Sequence, residues 1–285
     1  MRVTPSPHTP QLLYNGRPFP ADAPILRASS RGFRYGDGIF ETVRIHNGRL
    51  FQWPLHRARL FRGAGALSLQ LDITEIESGI TDLLALNSVS TGLIRIAVAR
   101  SGGERGYKPL SRSSEVIIET GDAPPFEWRP PVSVRISSYK RPTSEMLPAG
   151  IKVAQGLTSS LAGIEAIDTG FSDAILLTDD NSVSEATSSN LFWRTGDRIY
   201  TPSLECGIIA GVLRQFLCES SLITVIEGRF ELGHLLGADE VFLTNVISGI
   251  QPIHEIAHSE LRHQFDSFST ARRCFDLLNH HLTTE

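Results

Sequence analysis

Apolar and polar positions change period repeatedly along this chain, and each change marks an element. In QLLYNGRPFP, residues 11–20, two short runs flank Asn15-Gly16, a pair suited to the two-residue turn of a β-hairpin. FETVRIHNGRLFQW, residues 40–53, alternates into His46-Asn47-Gly48 and out again, which predicts a second hairpin. The period then lengthens. PLHRARLFRGAGALSL (54–69) and ITEIESGITDLLALNSV (73–89) place apolar residues three and four apart, predicting two helices, the first with Pro54 in its opening turn. GLIRIAVARS (92–101) and SEVIIETG (114–121) read as strands. Residues 1–10, rich in Pro, Ser and Thr, read as a loose arm.

DAPPFEWRPPV, residues 122–132, interrupts the pattern with four prolines, which resist both helix and sheet pairing, and reads as an interdomain linker. Beyond it VSVRISSYKR is a strand and GLTSSLAGIEAIDTG a helix closed by Gly170. DAILLTDDNSVSEA turns at Asp180-Asn181 and NLFWRTGDRIYTP at Thr195-Gly196, giving two more hairpins. IIAGVLRQFLCESS reads as a helix, ADEVFLTNVISGIQPI as a buried strand with a loop, and the last residues as a closing helix. Strands dominate both halves with helices beside them. The expected organisation is α+β: a small domain over 1–121, a linker over 122–132 and a larger domain over 133–285.

Composition narrows the functional classes. A net charge of −4 and a pI near 6.1 give no general attraction to nucleic acid or anionic membrane. Cys206, Cys218 and Cys274 are odd in number and widely spaced, so they read as reduced thiols and not as a disulfide framework or metal site. The opening residues hold no apolar run of signal-peptide length and no later segment is long and apolar enough to span a bilayer, so a cytoplasmic chain is expected. The basic residues are lopsided. Of 27, only Lys108, Lys140 and Lys152 are lysine. Arginine serves a surface equally well, but only lysine can lose its proton when buried and act as a nucleophile. Lys108 lies in a Gly/Ser-rich loop and Lys140 beside Arg141-Pro142, whereas Lys152 precedes a helix-like run.

Three other features carry chemistry, each of which alone has a plainer reading. The turn TPSLEC runs into GIIAGVLR, and a glycine-bearing helix start presents unpaired N–H groups to an anion. SVSEATSSNLFW sets Glu185 before hydroxyls and Asn190, which also suits a polar turn between strands. Arg59 in HRARL also suits a solvated helix face.

Taken in order, the stretches RGFRYGDGIFETVR, HRARL, GIKVAQGLTSSLAGIEA, SDAILLTDDNSVSEATSSNLF, YTPSLECGIIAGVLR and ADEVFLTNVISGIQPI resemble the class IV aminotransferases, fold-type IV enzymes that use pyridoxal 5′-phosphate. The resemblance implies a two-domain architecture like that of D-amino-acid aminotransferases, with a small α/β domain and a larger domain built on a mainly antiparallel sheet or barrel. It implies that Lys152 forms a Schiff base with the cofactor and then carries protons at the carbon next to nitrogen. Glu185 would hold the pyridine nitrogen protonated, and Arg59 would bind the phosphate. Gly211, Val212 and Leu213 would present backbone N–H groups to that phosphate, while Ser188, Ser189 and Asn190 would lie beside the ring. Thr244 and Asn245 would complete the phosphate cup. Val246 stands where many aminotransferases have a threonine, so Thr244 and Asn245 are the candidates to replace that contact. A homodimer and a small-molecule amino substrate are implied as well.

The branch is read from departures. Branched-chain aminotransferases usually carry a tyrosine five residues after the lysine, where this chain has Leu157. D-amino-acid aminotransferases hold the substrate carboxylate with an Arg-x-His pair, where this chain has Arg105 and Tyr107 in SGGERGYKP. The GGxRGY loop, GDGxFET and NLFWR resemble the 4-amino-4-deoxychorismate lyase branch, which makes 4-aminobenzoate and pyruvate for folate. Tyr35, Arg105 and Tyr107 are then the candidate substrate contacts, Arg105 because a guanidinium binds a carboxylate through two parallel bonds. Amino transfer between a D- or branched-chain amino acid, or an amine, and a 2-oxo acid is the alternative. A non-catalytic cofactor binder could dispense with Lys152 and Glu185, and both are present.

Overall fold

In the computed structural model, residues 10–284 are described; the arm expected over 1–10 lies outside them except for Pro10. The chain divides into two compact units, one comprising residues 1–124 with 151–155, the other 125–150 with 156–285.

The first unit is an antiparallel sheet covered by two helices. β1 (Gln11–Tyr14) and β2 (Arg17–Pro20) form the first hairpin, with Asn15 and Gly16 both at positive φ, the turn that Asn-Gly favours. β3 (Gly38–His46) and β4 (Arg49–Leu50) form the second, and β5 (Gly92–Arg100) and β6 (Ser114–Gly121) complete the order β2-β1-β6-β5-β3-β4. α2 (Trp53–Ala66) and α3 (Ile73–Leu86) match the two predicted helices. α3 starts where it does because Asp72 accepts hydrogen bonds from Thr74 N and Glu75 N. Leu60 and Ala64 of α2 and Ile76, Ile80 and Leu83 of α3 pack on Val43, Ile45, Ile94 and Ile96 to make one core. α1 (Arg31–Tyr35), a single turn, had no periodic signal.

The second unit is a nine-stranded mixed sheet, ordered β12-β11-β10-β13-β14-β7-β8-β9 with β15 beside β14. Its strands are β7 (Val132–Arg141), β8 (Asp173–Thr178), β9 (Val183–Ala186), β10 (Asn190–Thr195), β11 (Arg198–Pro202), β12 (Val225–Gly228), β13 (Glu240–Asn245), β14 (Gly249–His258) and β15 (Leu261–Gln264). The pairs β7–β8, β7–β14 and β11–β12 are parallel and the others antiparallel. α4 (Leu157–Asp168) covers β7 and β8 through Ala162 and Ala166, α6 (Leu232–Leu236) adds Leu235 to the main core, and α7 (Ser269–Thr284) lies on β14. Phe126 and Trp128 of the proline-rich stretch pack against Phe275 of α7. The helix expected over 208–221 is shorter: α5 runs Val212–Glu219. Residues 208–210 instead run extended, with Ile209 bridged to Gly150. No helix among the described residues is long and apolar enough to cross a membrane.

Candidate active site

The candidate residues fall on both units. In the first, β3 and the segment 151–155 run side by side: Phe40 N donates to Lys152 O at 3.0 Å and Ala154 N to Gly38 O at 2.9 Å. These bonds fix the backbone on both sides of Lys152, whose Nζ stands 4.4 Å from the centre of the Phe40 ring. Lys152 is half-buried, while Lys108 and Lys140 are exposed, the latter donating to Asn181 Oδ1 at 2.7 Å.

Arg59 is no solvated helix residue. It is buried, and its Nε and Nη2 donate to the two oxygens of Glu41, each at 2.7 Å. His56, one turn earlier on α2, places Nδ1 2.7 Å from Glu41 Oε2. Burial alone would push the Glu41 carboxyl up, but the bonds and charges of Arg59 and His56 outweigh it and hold it down at about 2. An ionised carboxylate can only accept, so His56 Nδ1 carries the hydrogen and Nε2 is left as an acceptor. Burial pulls the imidazole below its usual range against the pull of Glu41, and the charges of Arg59 and Lys152 add to that lowering. His56 Nε2 is buried with no hydrogen-bond partner among the described residues.

Tyr35, Arg105 and Tyr107 belong to one cluster. Tyr35 Oη accepts from Gly106 N at 2.8 Å, and its ring lies 5.4 Å from that of Tyr107. Arg31, almost fully buried, donates through Nη1 to Gly106 O at 3.0 Å and through Nε to Asp37 at 2.9 Å. These contacts hold the backbone of the 104–106 loop to α1, and the side chains of Arg105 and Tyr107 are exposed.

In the second unit Glu185 is the centre. Its Oε2 accepts from Asn190 Nδ2 at 2.9 Å and from Ile209 N at 3.0 Å, and its Oε1 pairs with Arg141 Nη2 at 2.7 Å. Asn190 Nδ2 also donates to Ile209 O, tying the start of β10 to the extended 208–210 segment. That segment leads into α5 through Gly211, where an added Cβ would come within 1.8 Å of Asn190 Oδ1, so any side chain there would have to displace Asn190 from Glu185. No side chain caps α5, and the N–H groups of Val212 and Leu213 have no acceptor within their own helix. α5 packs on β13, where Thr244 pairs with Asn190. Thr244 Oγ1 is buried without a hydrogen-bond partner among the described residues. Asn245 is engaged differently: its Oδ1 accepts from Ile247 N and Ser248 N at 2.9 and 2.7 Å, and its Nδ2 donates to Ser189 Oγ at 2.8 Å. Ser188 is exposed and Ser189 buried.

Sequence reading passed over Glu41, His56, Arg31 and Arg141. The spacing of His56 and Arg59, one turn apart on one helix face, carried a usable signal for the first two. Nothing local marks Arg141, whose partner lies 44 residues further along the chain.

Comparison with known proteins bears on the family. Aminodeoxychorismate lyase of Bacillus subtilis is 32% identical over 85% of this chain and 85% of its own length. The putative branched-chain-amino-acid aminotransferase of Methanocaldococcus jannaschii is 30% identical over 79% of this chain and 80% of its own. The crystal structure of 4-amino-4-deoxychorismate lyase from Pseudomonas aeruginosa superposes with a TM-score of 0.82 at 28% identity, covering 94% of this chain and 98% of that one. The profile of amino-transferase class IV matches residues 38–256, and the chain belongs to that family of pyridoxal-phosphate-dependent enzymes.

Proposed function

We propose that this enzyme converts 4-amino-4-deoxychorismate into 4-aminobenzoate and pyruvate, with Lys152 as the attachment point of the cofactor and the carrier of protons. The residues present suit pyridoxal phosphate. Thr244 Oγ1 is a buried hydroxyl with no partner among the described residues, the first turn of α5 offers uncapped N–H groups, and Gly211 leaves no side chain over them. With Asn245 engaged in its turn, Thr244 is the better candidate for the contact that a threonine at 246 would make. Arg59 would hold the phosphate with its guanidinium oriented by Glu41. Glu185 would face the ring nitrogen. When bound, the cofactor supplies an aldehyde that takes up an amine and a protonated ring that draws off the electrons of a broken C–H bond.

Each residue then has a defined task. Lys152 Nζ takes the proton from the ring carbon that bears the substrate amino group, the C–O bond of the enolpyruvyl ether on the adjacent carbon breaks, and the departing enolpyruvate takes up that proton at its methylene carbon to become pyruvate. The six-membered ring becomes aromatic, which supplies much of the driving force. Arg105 would bind a substrate carboxylate. The observation that carries the lyase reading is the side chain five residues after Lys152: Leu157 is exposed at the start of α4 and has no hydroxyl to offer where branched-chain aminotransferases usually have tyrosine. The similarity to the Bacillus subtilis lyase supports it, and the similarity to the Methanocaldococcus jannaschii aminotransferase keeps amino transfer as the second reading. The working form would be a homodimer in the cytoplasm, serving folate synthesis.

Incubation with 4-amino-4-deoxychorismate should release 4-aminobenzoate and pyruvate in equal amounts. A panel of L- and D-amino acids with 2-oxoglutarate or pyruvate should give much slower turnover. Rapid amino transfer with no release of 4-aminobenzoate would reverse the assignment.

A further inference from the structure

Arg141 lies at the end of β7, and nothing in the proposed chemistry requires it, yet it is held at three points beside Glu185. Its Nη2 stands 2.7 Å from Glu185 Oε1, its Nε donates to Gly207 O at 3.0 Å, and its Nη1 donates to Ser159 Oγ at 3.2 Å. Gly207 sits at φ +70°, and a Cβ there would come within 1.8 Å of Pro142 O, so the two segments approach as closely as glycine allows. Both side chains of the pair are largely buried, at 17% and 4% exposure, which limits screening by solvent. The guanidinium is thus fixed on three sides and aimed at one carboxylate oxygen.

We propose that Arg141 is a positioning residue that keeps the proton shared between Glu185 and the cofactor on the ring nitrogen. This rests on the reading of Glu185 as the partner of that nitrogen. A proton shared by a carboxylate and a pyridine can sit on either. A cation bonded to the carboxylate stabilises its ionised form. The same cation would also repel a protonated ring, but a ring bonded to Glu185 would be further from the guanidinium than the carboxylate that lies 2.7 Å from it, and Coulomb interaction falls with distance. The attraction to the nearer carboxylate wins, and the proton moves to the ring. Without the cation the carboxylate becomes more basic, the shared proton is drawn toward it, and the ring loses part of its capacity to accept electrons. Asn190 and the Ile209 N–H are neutral donors that orient the carboxylate without supplying charge.

The test is the ring-nitrogen resonance of full-length protein reconstituted with 15N-labelled pyridoxal phosphate at neutral pH. The parent and Arg141→Lys, which keeps the positive charge, should give the signal of a protonated pyridine. Arg141→Gln and Arg141→Met should move it toward the unprotonated position; the two neutral replacements differ in polarity, so that failure of one to fold leaves the other. Glu185→Gln, measured alongside, separates the two levels of the argument. If it shifts the resonance while the neutral Arg141 variants leave it in place, the role of Arg141 is refuted. If none of the variants shifts it, Glu185 is not the partner of the ring nitrogen and the reading beneath the proposal fails.

Discussion

Two buried carboxylate–arginine pairs, one in each unit, are built from the same residue types and serve opposite ends. In the first, Glu41 grips Arg59 through both oxygens and takes His56 as a further donor. On the proposed reading the arginine would be the working group, and the carboxylate fixes its plane. In the second, Arg141 holds Glu185 from one side while Asn190 and the Ile209 N–H hold it from the other. There, on the same reading, the carboxylate would be the working group and the arginine its support. A buried ion pair by itself is weak evidence of stability, since desolvation offsets much of the attraction. What these pairs fix is orientation, and the order of dependence differs between them.

Breaking the first pair should have the larger effect on the fold. Glu41→Gln leaves the Arg59 charge buried without its counter-ion, and loss of one partner of a buried pair costs about 3–5 kcal/mol. Denaturant unfolding of the cofactor-free protein would measure this, and cofactor affinity should fall with it because Arg59 is no longer oriented. Retained stability and affinity would mean that Arg59 holds its place unaided.

Glu185→Gln should instead be felt mainly in the rate. The neutral amide cannot keep the ring protonated, and loss of one such electrostatic contact costs about 3 kcal/mol, roughly a hundredfold in turnover. Cofactor absorbance should persist. Turnover near that of the parent would remove Glu185 from the chemistry.

The pairs also separate by pH. Glu41 is depressed from its ordinary 4.5 to about 2 in the folded protein. Its contribution is therefore complete above the unfolded value and is lost as pH falls through the folded one, an effect of about 3 kcal/mol. The stability gap between the parent and Glu41→Gln should accordingly be constant near neutrality and narrow as pH falls from about 4.5 toward 2. A gap independent of acid would show that the carboxylate contributes by packing and not by charge.

The smallest effect is expected at the exposed loop. Arg105→Lys keeps the charge but loses the planar fork, so turnover on carboxylate-bearing substrates should fall, and further in Arg105→Ala, with cofactor absorbance unchanged. An unchanged rate would return Arg105 to solvent.

The same contrast explains what could be read from the chain. Lys152, Arg59 and Glu185 could be proposed from the chain because each lies in a short motif whose neighbours follow the order of the family it resembles. The hairpins were legible because Asn15-Gly16 and Asn47-Gly48 dictate their turns, with positive φ at all four residues. Their supports were not. Arg141 and Glu185 meet across 44 residues, and Arg31 reaches the 104–106 loop across more than 70, distances over which periodicity carries no information. The start of α5 was misplaced for a physical reason too. Ile208–Ala210 has helix-like apolar residues, but their backbone is drawn into bonds with Gly150 and Glu185, and the helix starts only after Gly211.

The central claim is that the Lys152 amine holds the cofactor. Borohydride reduction of the full-length enzyme in the presence of pyridoxal phosphate, followed by proteolysis and mass mapping, tests it directly. A single pyridoxyl label is expected on Lys152, with Lys152→Ala unlabelled and inactive and Lys152→Arg equally so, since charge is not the requirement. A label on Lys108 or Lys140, or retained turnover in Lys152→Ala, would contradict it.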